Sequence, residues 1–439
     1  MRGERYVVLG LAHVRSEWFR DVARWSTSST LPLEFVKCLS IEELTARLQS
    51  GRPFSAVLVD GGLIGVDRDL VDAARESGCA VIVIDDGRAG RSWTDLGASA
   101  VLPVGFAPNA LLDVLAATST LIGRGDAVAA VEGVAATPGW RGRLIAVTGP
   151  GGTGASTVAM ALAQGMGSDV RYEGRLLLAD LALSADQAML NDAGDVVPGL
   201  QELVEAHRTG RPVAQEIRSL TFAVPDRHYA LLLGLRRHRD WATIRPRAFE
   251  AALDGLRRCY LAVVADVTGD LEGEAECGSV DVEDRNLLAR TAVGSADVVV
   301  LVGQSGPAGI YRLVGLVAAT IAHGVSTDRI VPVVNHAPRS PRARAEIIAA
   351  LAELTAAVSP TGSPLAPPVL LSERRRLDDV LRDGVALPSQ LVDPIQRAVA
   401  VTLERLEAAA GEAPGPGSQP ELVPVAPGSL GAYYGADDE

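Results

Sequence analysis

Between an apolar run and an alanine-rich helical stretch, the segment R-L-I-A-V-T-G-P-G-G-T-G-A-S-T-V-A-M-A-L-A (143–163) carries Gly149, Gly151, Gly152 and Gly154. Glycines so placed let successive backbone amides turn inward, and the helix that follows offers its positive N-terminal end to an anion. Strand, glycine loop and helix in this order make a phosphate-binding loop. In that register Thr153 and Ala155 belong to the cradle, the Ser156 hydroxyl would hold Mg²⁺, and Thr157 would reach the α-phosphate. The motif G-x-x-x-x-G-K-[ST] has lysine where this sequence has Ala155, so the cradle lacks its usual cation. A glycine turn with a Ser/Thr cap also serves purely structural ends.

Two carboxylates end apolar runs. Asp266 closes L-A-V-V-A-D, the position from which a carboxylate meets Mg²⁺ directly or through water. Asp180 closes R-L-L-L-A-D, just after the loop helix, and is the candidate catalytic residue. Both fall at the C-terminal edge of a parallel sheet, where such folds bind ligands. Asn335 ends V-P-V-V-N and has two readings, a contact to an adenine edge or a cap for the next loop. The cofactors implied are ATP and Mg²⁺.

Lys37 is the only lysine, whereas arginine is plentiful. Drift from lysine to arginine would leave Arg at position 155, so alanine there marks an altered site. Arg171, Arg175 and Arg312 are the candidates for a replacement cation.

The elements that must position these groups form two α/β units. Over residues 1–120, five short apolar runs alternate with helical segments, which predicts a small doubly wound, flavodoxin-like parallel sheet. Residues 121–141, rich in Ala, Gly and Val, read as a linker. Residues 142–410 carry the phosphate loop among continuous apolar strands, the pattern of a parallel sheet covered on both faces. Residues 411–439 are too rich in Gly and Pro to bury a core and read as a disordered tail, in which Tyr433 and Tyr434 have two readings, inert tail or docking peptide.

A net charge of -13 argues against salt-dependent adhesion to nucleic acid and against DNA as a partner. The four cysteines, Cys38, Cys79, Cys259 and Cys277, form no C-x-x-C pair and read as reduced thiols. With no signal peptide and no apolar stretch of bilayer length, the expectation is a cytoplasmic protein without an integral membrane segment. The segment 395–406 has a helical apolar face without a basic polar face and reads as a packing helix.

The order of parts resembles the ParA/MinD superfamily of deviant Walker ATPases. A degenerate receiver-like unit before a P-loop domain, with G-G-T-G-A-S-T at 151–157, looks like the CpaE/TadZ branch, which positions Flp/Tad type IV pilus machinery. Septum-site-determining proteins share the layout. The resemblance implies a homodimer that binds ATP, recruited to the pole, septum or inner membrane face, with pilus secretion machinery or polar or septal proteins as partners. The family's trans-acting lysine corresponds to Pro150, and its D-x-D to Asp180-Leu181-Ala182, so only the first carboxylate is kept. Losing such groups costs about 10²-fold or more in rate each, and hydrolysis is expected to be slow or absent. The first unit resembles a response-regulator receiver with Asp60 at the phosphoacceptor position. It lacks the acidic pair after the first strand, where Gly10 to His13 stand, and has Val104 in place of the lysine, so Asp60 reads as a structural strand-end residue.

Overall fold

The computed structural model describes residues 5–13, 16–28, 30–88, 90–122, 140–172, 174–194, 197–358, 365–374, 377–382 and 384–410. Most of the expected linker and the whole expected tail, Tyr433 and Tyr434 included, lie outside the described residues.

The N-terminal unit runs β1 (Tyr6–Leu11), α1 (Glu17–Thr27), β2 (Leu33–Lys37), α2 (Ile41–Leu48), β3 (Ala56–Asp60), α3 (Arg68–Glu76), β4 (Ala80–Asp85), β5 (Ala100–Pro103) and α4 (Pro108–Thr118). Its strands pair in parallel in the order β2-β1-β3-β4-β5, the doubly wound flavodoxin-like order. Alternate residues of each strand feed two buried clusters, Val57 and Val59 on one face and Ala56 and Leu58 on the other.

The second unit begins with β6 (Arg143–Gly149), α5 (Ala155–Gly167), β7 (Leu176–Leu181), α6 (Gln187–Leu190), α7 (Leu200–Thr209), α8 (Ala214–Ser219), β8 (Phe222–Val224) and β9 (Tyr229–Leu232). It continues through α9 (Pro246–Cys259), β10 (Ala262–Thr268), α10 (Glu274–Cys277), α11 (Val280–Ser295), β11 (Val298–Gln304), α12 (Pro307–Ala322) and β12 (Ile330–Ala337). It closes with α13 (Pro341–Ala356), β13 (Val369–Ser372), α14 (Leu377–Arg382) and α15 (Ser389–Ala410). The sheet order is β13-β12-β11-β6-β10-β7-β9-β8. All pairs are parallel except β8 with β9. The edge strands β8 and β13, each of four residues or fewer, were not foreseen from the sequence; runs that short have no periodicity to read.

Helix α5 is buried almost all round because it lies between the sheet and α15. Small residues permit this sandwich: a Cβ on Gly165 would come within 2.8 Å of Val392 Cγ1. The Gln164 amide closes the contact, donating to Leu387 O at 2.9 Å and accepting from Leu387 N at 2.7 Å. Ile395, Val399 and Leu403 of α15 are buried in the same cluster, so the segment 395–406 does pack, as its mixed charge pattern indicates. No helix among the described residues is long and apolar enough to cross a membrane.

The two units meet where α3 lies against α7 and α9. Arg68 donates from Nε to His207 O at 2.8 Å and from Nη2 to Gly210 O at 3.0 Å. Arg208 returns the contact to Asp67 at 3.2 Å, and the Arg247 amide donates to Asp69 Oδ1 at 3.0 Å. Burial in this junction pushes the Asp69 carboxyl above its ordinary range. At the far end of the first sheet, Asp60 accepts the Ser16 hydroxyl at 2.6 Å and the Gly62 amide at 3.0 Å. Both of its oxygens are thus engaged in holding the loops around it.

Candidate functional site

The order of the larger sheet reverses at β6, whose neighbours β11 and β10 come much later in the chain. The crevice beyond the strand ends at such a switch point is where doubly wound folds bind ligands, and the loop 150–154 occupies it.

The loop is fixed by local chemistry. Gly152 and Gly154 take φ of +78° and +85°, left-handed values that side chains resist. Thr153 donates from N and Oγ1 to Pro150 O at 3.2 and 2.8 Å, which closes the turn. Gly149 allows close approach, since a Cβ there would lie 2.4 Å from Val302 O. Gly151 faces open space. Ser156 and Thr157 stand half-buried in the first turn of α5, while Ala155 packs against the core beneath.

Side chains from later strands hold the loop from outside. Gln304 Nε2 donates to Gly152 O at 2.8 Å, and Asn335 Nδ2 donates to Thr153 O at 2.9 Å. Asn335 Oδ1 also accepts the His336 amide at 2.9 Å. The His336 contact lies on the following loop, as the capping reading describes, whereas the bond across to Thr153 O has no counterpart in either sequence reading; together they use one of the two N–H groups and one Oδ1 lone pair. Gly269, just past β10, touches the loop as well, because a Cβ there would meet Gly149 O at 2.6 Å.

Asp180 and Asp266 are register partners on β7 and β10. Ala262 and Val264 face the α5 side of the sheet, and alternation puts Asp266, with Asp180 beside it, on that face below Ser156. The two carboxyls are 0% and 2% exposed. Burial, opposed by hydrogen bonds from Gln187 and Ser156, pushes Asp266 up to about 6. Asp180 lies well above its ordinary range through burial and then the neighbouring Asp266 charge. Backbone amides of Gln187 and Ala182 donate to it at 2.9 and 3.3 Å.

Sequence reading missed Gln187. This fully buried side chain at the start of α6 sends Nε2 to Asp266 Oδ2 at 2.7 Å and to Ser156 O at 3.1 Å. No motif marked it, although a polar residue seven positions beyond Asp180, on a turn returning to the sheet edge, was the available signal. Asn191 donates to Gln187 Oε1 at 3.1 Å. Asn191 is itself held by Arg227 Nη1 at 2.8 Å and the Tyr229 hydroxyl at 2.6 Å.

A divalent cation would meet the Ser156 hydroxyl and the Asp266 carboxylate, hard oxygen donors that suit Mg²⁺. Among the described residues no group of three or more His, Cys, Asp or Glu could hold a metal ion. Phosphate oxygens would therefore have to complete the shell, the usual arrangement for Mg²⁺.

The proposed replacement arginines separate by location. Arg171 follows the C-terminal end of α5 and is paired with Asp169 at 2.8 Å, while Arg175 precedes β7 at the opposite sheet edge. Neither reaches the loop. Arg312 lies exposed in the second turn of α12, a helix that starts beside Gln304 and hence beside the loop.

The sequence matches no protein-family model and no curated protein. Solved structures similar to its C-terminal part are ParA/MinD family ATPases. The ParA family ATPase from Chlorobium tepidum TLS is 15% identical with a TM-score of 0.47, covering 59% of this chain and 98% of that one. MinD from Pyrococcus horikoshii OT3, the septum site-determining protein complexed with Mg-ADP, is 18% identical with a TM-score of 0.42, covering 61% and 97%. A putative plasmid partition protein from Borrelia burgdorferi B31, bound to AMPPNP, is 14% identical with a TM-score of 0.40, covering 60% and 99%.

Proposed function

We propose that this chain is a nucleotide-binding localisation factor in which ATP acts as an assembly ligand and is turned over slowly or not at all. The observation that carries this reading is the left-handed glycine loop at the switch point of the sheet, set directly above Ser156 and the buried Asp266. The loop amides and the start of α5 bind phosphate, and Ser156 with Asp266 provides for Mg²⁺. Bound Mg²⁺ neutralises phosphate charge; everything else must come from the chain. Ala155, Pro150 and Ala182 supply neither a cation nor a second free carboxylate. A bound nucleotide then acts by favouring one conformation or a homodimer through differential affinity.

Within that reading the chain serves Flp/Tad pilus assembly from the cytoplasm, its first unit recognising a polar or septal partner. The loop sequence G-G-T-G-A-S-T supports this assignment.

Titration with a fluorescent ATP analogue, with and without Mg²⁺ and with the mass of the complex followed by light scattering, tests the biochemical part. Saturable binding with a doubled mass is expected, and no binding at millimolar nucleotide would overturn it. Mg²⁺-dependent turnover abolished by Asp266→Ala would instead make the chain an active ATPase. Deleting the gene should remove surface pili and leave septum placement intact; the reverse outcome gives the septum-site reading.

A further inference from the structure

The Gln187 amide lies between Asp266 and the Ser156 backbone, the two residues that would hold a metal. Nε2 takes an Asp266 oxygen and the Ser156 carbonyl at 2.7 and 3.1 Å, while the Gln187 backbone amide takes Asp180 at 2.9 Å. Two N–H groups of one residue therefore reach both buried carboxyls. They are positive-ended dipoles doing for oxygen ligands, in part, what a cation does.

We infer that Gln187 is an internal stand-in for the divalent cation, a latch that holds Ser156 and Asp266 together and must withdraw before a metal can bind there. The segment carrying it is built to stay closed. Asn191 braces Gln187, and Arg227, itself fully buried, pins that brace through Asn191 Oδ1 and Leu190 O, each at 2.8 Å. Metal entry trades the Nε2 to Asp266 bond for a metal to oxygen bond, so the chain holds nucleotide with little help from Mg²⁺ until α6 lifts.

The inference rests on the nucleotide reading for the phosphates that complete the metal's shell. Its test is the affinity of a fluorescent ATP analogue in EDTA and in Mn²⁺, for the unmodified chain and for Gln187→Ala, with bound Mn²⁺ counted by electron paramagnetic resonance. Residues that support metal ligands typically change affinity by about 10- to 100-fold. In the variant, Mn²⁺ should raise nucleotide affinity at least about tenfold more than in the unmodified chain. The gain should vanish in Gln187→Ala/Asp266→Asn. Nucleotide bound in EDTA with an equal Mn²⁺ effect in both chains overturns this inference alone, whereas no nucleotide binding in any condition overturns the functional reading with it. Hydrogen exchange of the unmodified chain decides the matter should Gln187→Ala not fold. Saturating Mn²⁺ and AMPPNP should deprotect the Gln187 and Asn191 amides. Mn²⁺ uptake with unchanged protection overturns the latch, whereas bound nucleotide without Mn²⁺ uptake is the closed latch.

Discussion

Asp180 and Asp266 sit side by side at the same register of neighbouring parallel strands, so two nearly fully buried carboxyl groups share one end of the sheet. Like charges that close cannot both ionise cheaply. The pair is therefore held largely protonated in mildly acidic solution, and it titrates as a unit.

Stability follows from that protonation. Below the unfolded carboxyl range both states carry the proton and the pair contributes no pH dependence. Between roughly pH 4 and 6 the folded chain keeps an Asp266 proton that the unfolded chain has released, so stability falls as pH rises; the Asp266 share of the cost is fully present above about 6, and Asp180, held well above its ordinary range, extends the fall further. Asp266→Asn removes an ionisation while leaving an oxygen for the Gln187 amide. We expect its melting temperature at pH 7.5 to exceed that of the unmodified chain by about 2–4 °C or more, with the difference disappearing at pH 4. A variant equally or less stable at pH 7.5 would contradict the buried-pair account.

The missing loop cation is testable by restoring it. Ala155→Lys returns an ammonium to the first turn of α5, a half-buried position with Ser156 and Thr157 beside it. Affinity for an ATP analogue should rise about tenfold, the worth of one charge-assisted hydrogen bond near 1.4 kcal/mol. Turnover should stay low, because Pro150 and Ala182 still lack the other groups. Isothermal titration and a phosphate-release assay read the two effects separately, and a large rate gain without tighter binding would argue against a binding role for the loop.

Much of this site was legible because local chemistry dictates it. Left-handed turns call for glycine, so Gly152 and Gly154 announced the loop, and the apolar runs that end in Asp180 and Asp266 announced the sheet edge. The alternation of short apolar runs and helical segments likewise foretold parallel sheets. What escaped was long-range. Gln187 meets Asp266 across 79 positions, and Gln304 meets the loop across 152; neither has a local signature. Arg171 and Arg175 looked near the loop along the chain, but α5 carries the chain to the opposite edge of the sheet before β7 returns.

Arg68 ties the two units together through both its Nε and Nη2 donors. Its hydrogen bonds to carbonyls should each contribute about 0.5–1.5 kcal/mol, more for a charged donor. Arg68→Ala should therefore loosen the junction, seen as lost hydrogen-exchange protection in α3 and in the 207–212 segment. The ATP analogue affinity should stay unchanged, because the loop belongs to the other edge of the second unit. If affinity fell in parallel, the junction and the nucleotide site would be coupled.

The last test concerns the contact between Gly154 and Asn335. A Cβ on Gly154 would stand 2.6 Å from Asn335 Nδ2, and the residue's φ is +85°. Gly154→Ala thus carries two penalties, a left-handed alanine costing about 1–3 kcal/mol and displacement of the amide that donates to Thr153 O. Asn335→Ala incurs only the second. Both should weaken an ATP analogue, Gly154→Ala by tenfold or more and Asn335→Ala by less. Because Asn335 acts through the loop backbone, its loss should weaken ATP and GTP analogues by the same factor. Selective loss of the adenine nucleotide would instead place Asn335 on the base, and competition titrations with the two analogues distinguish these outcomes.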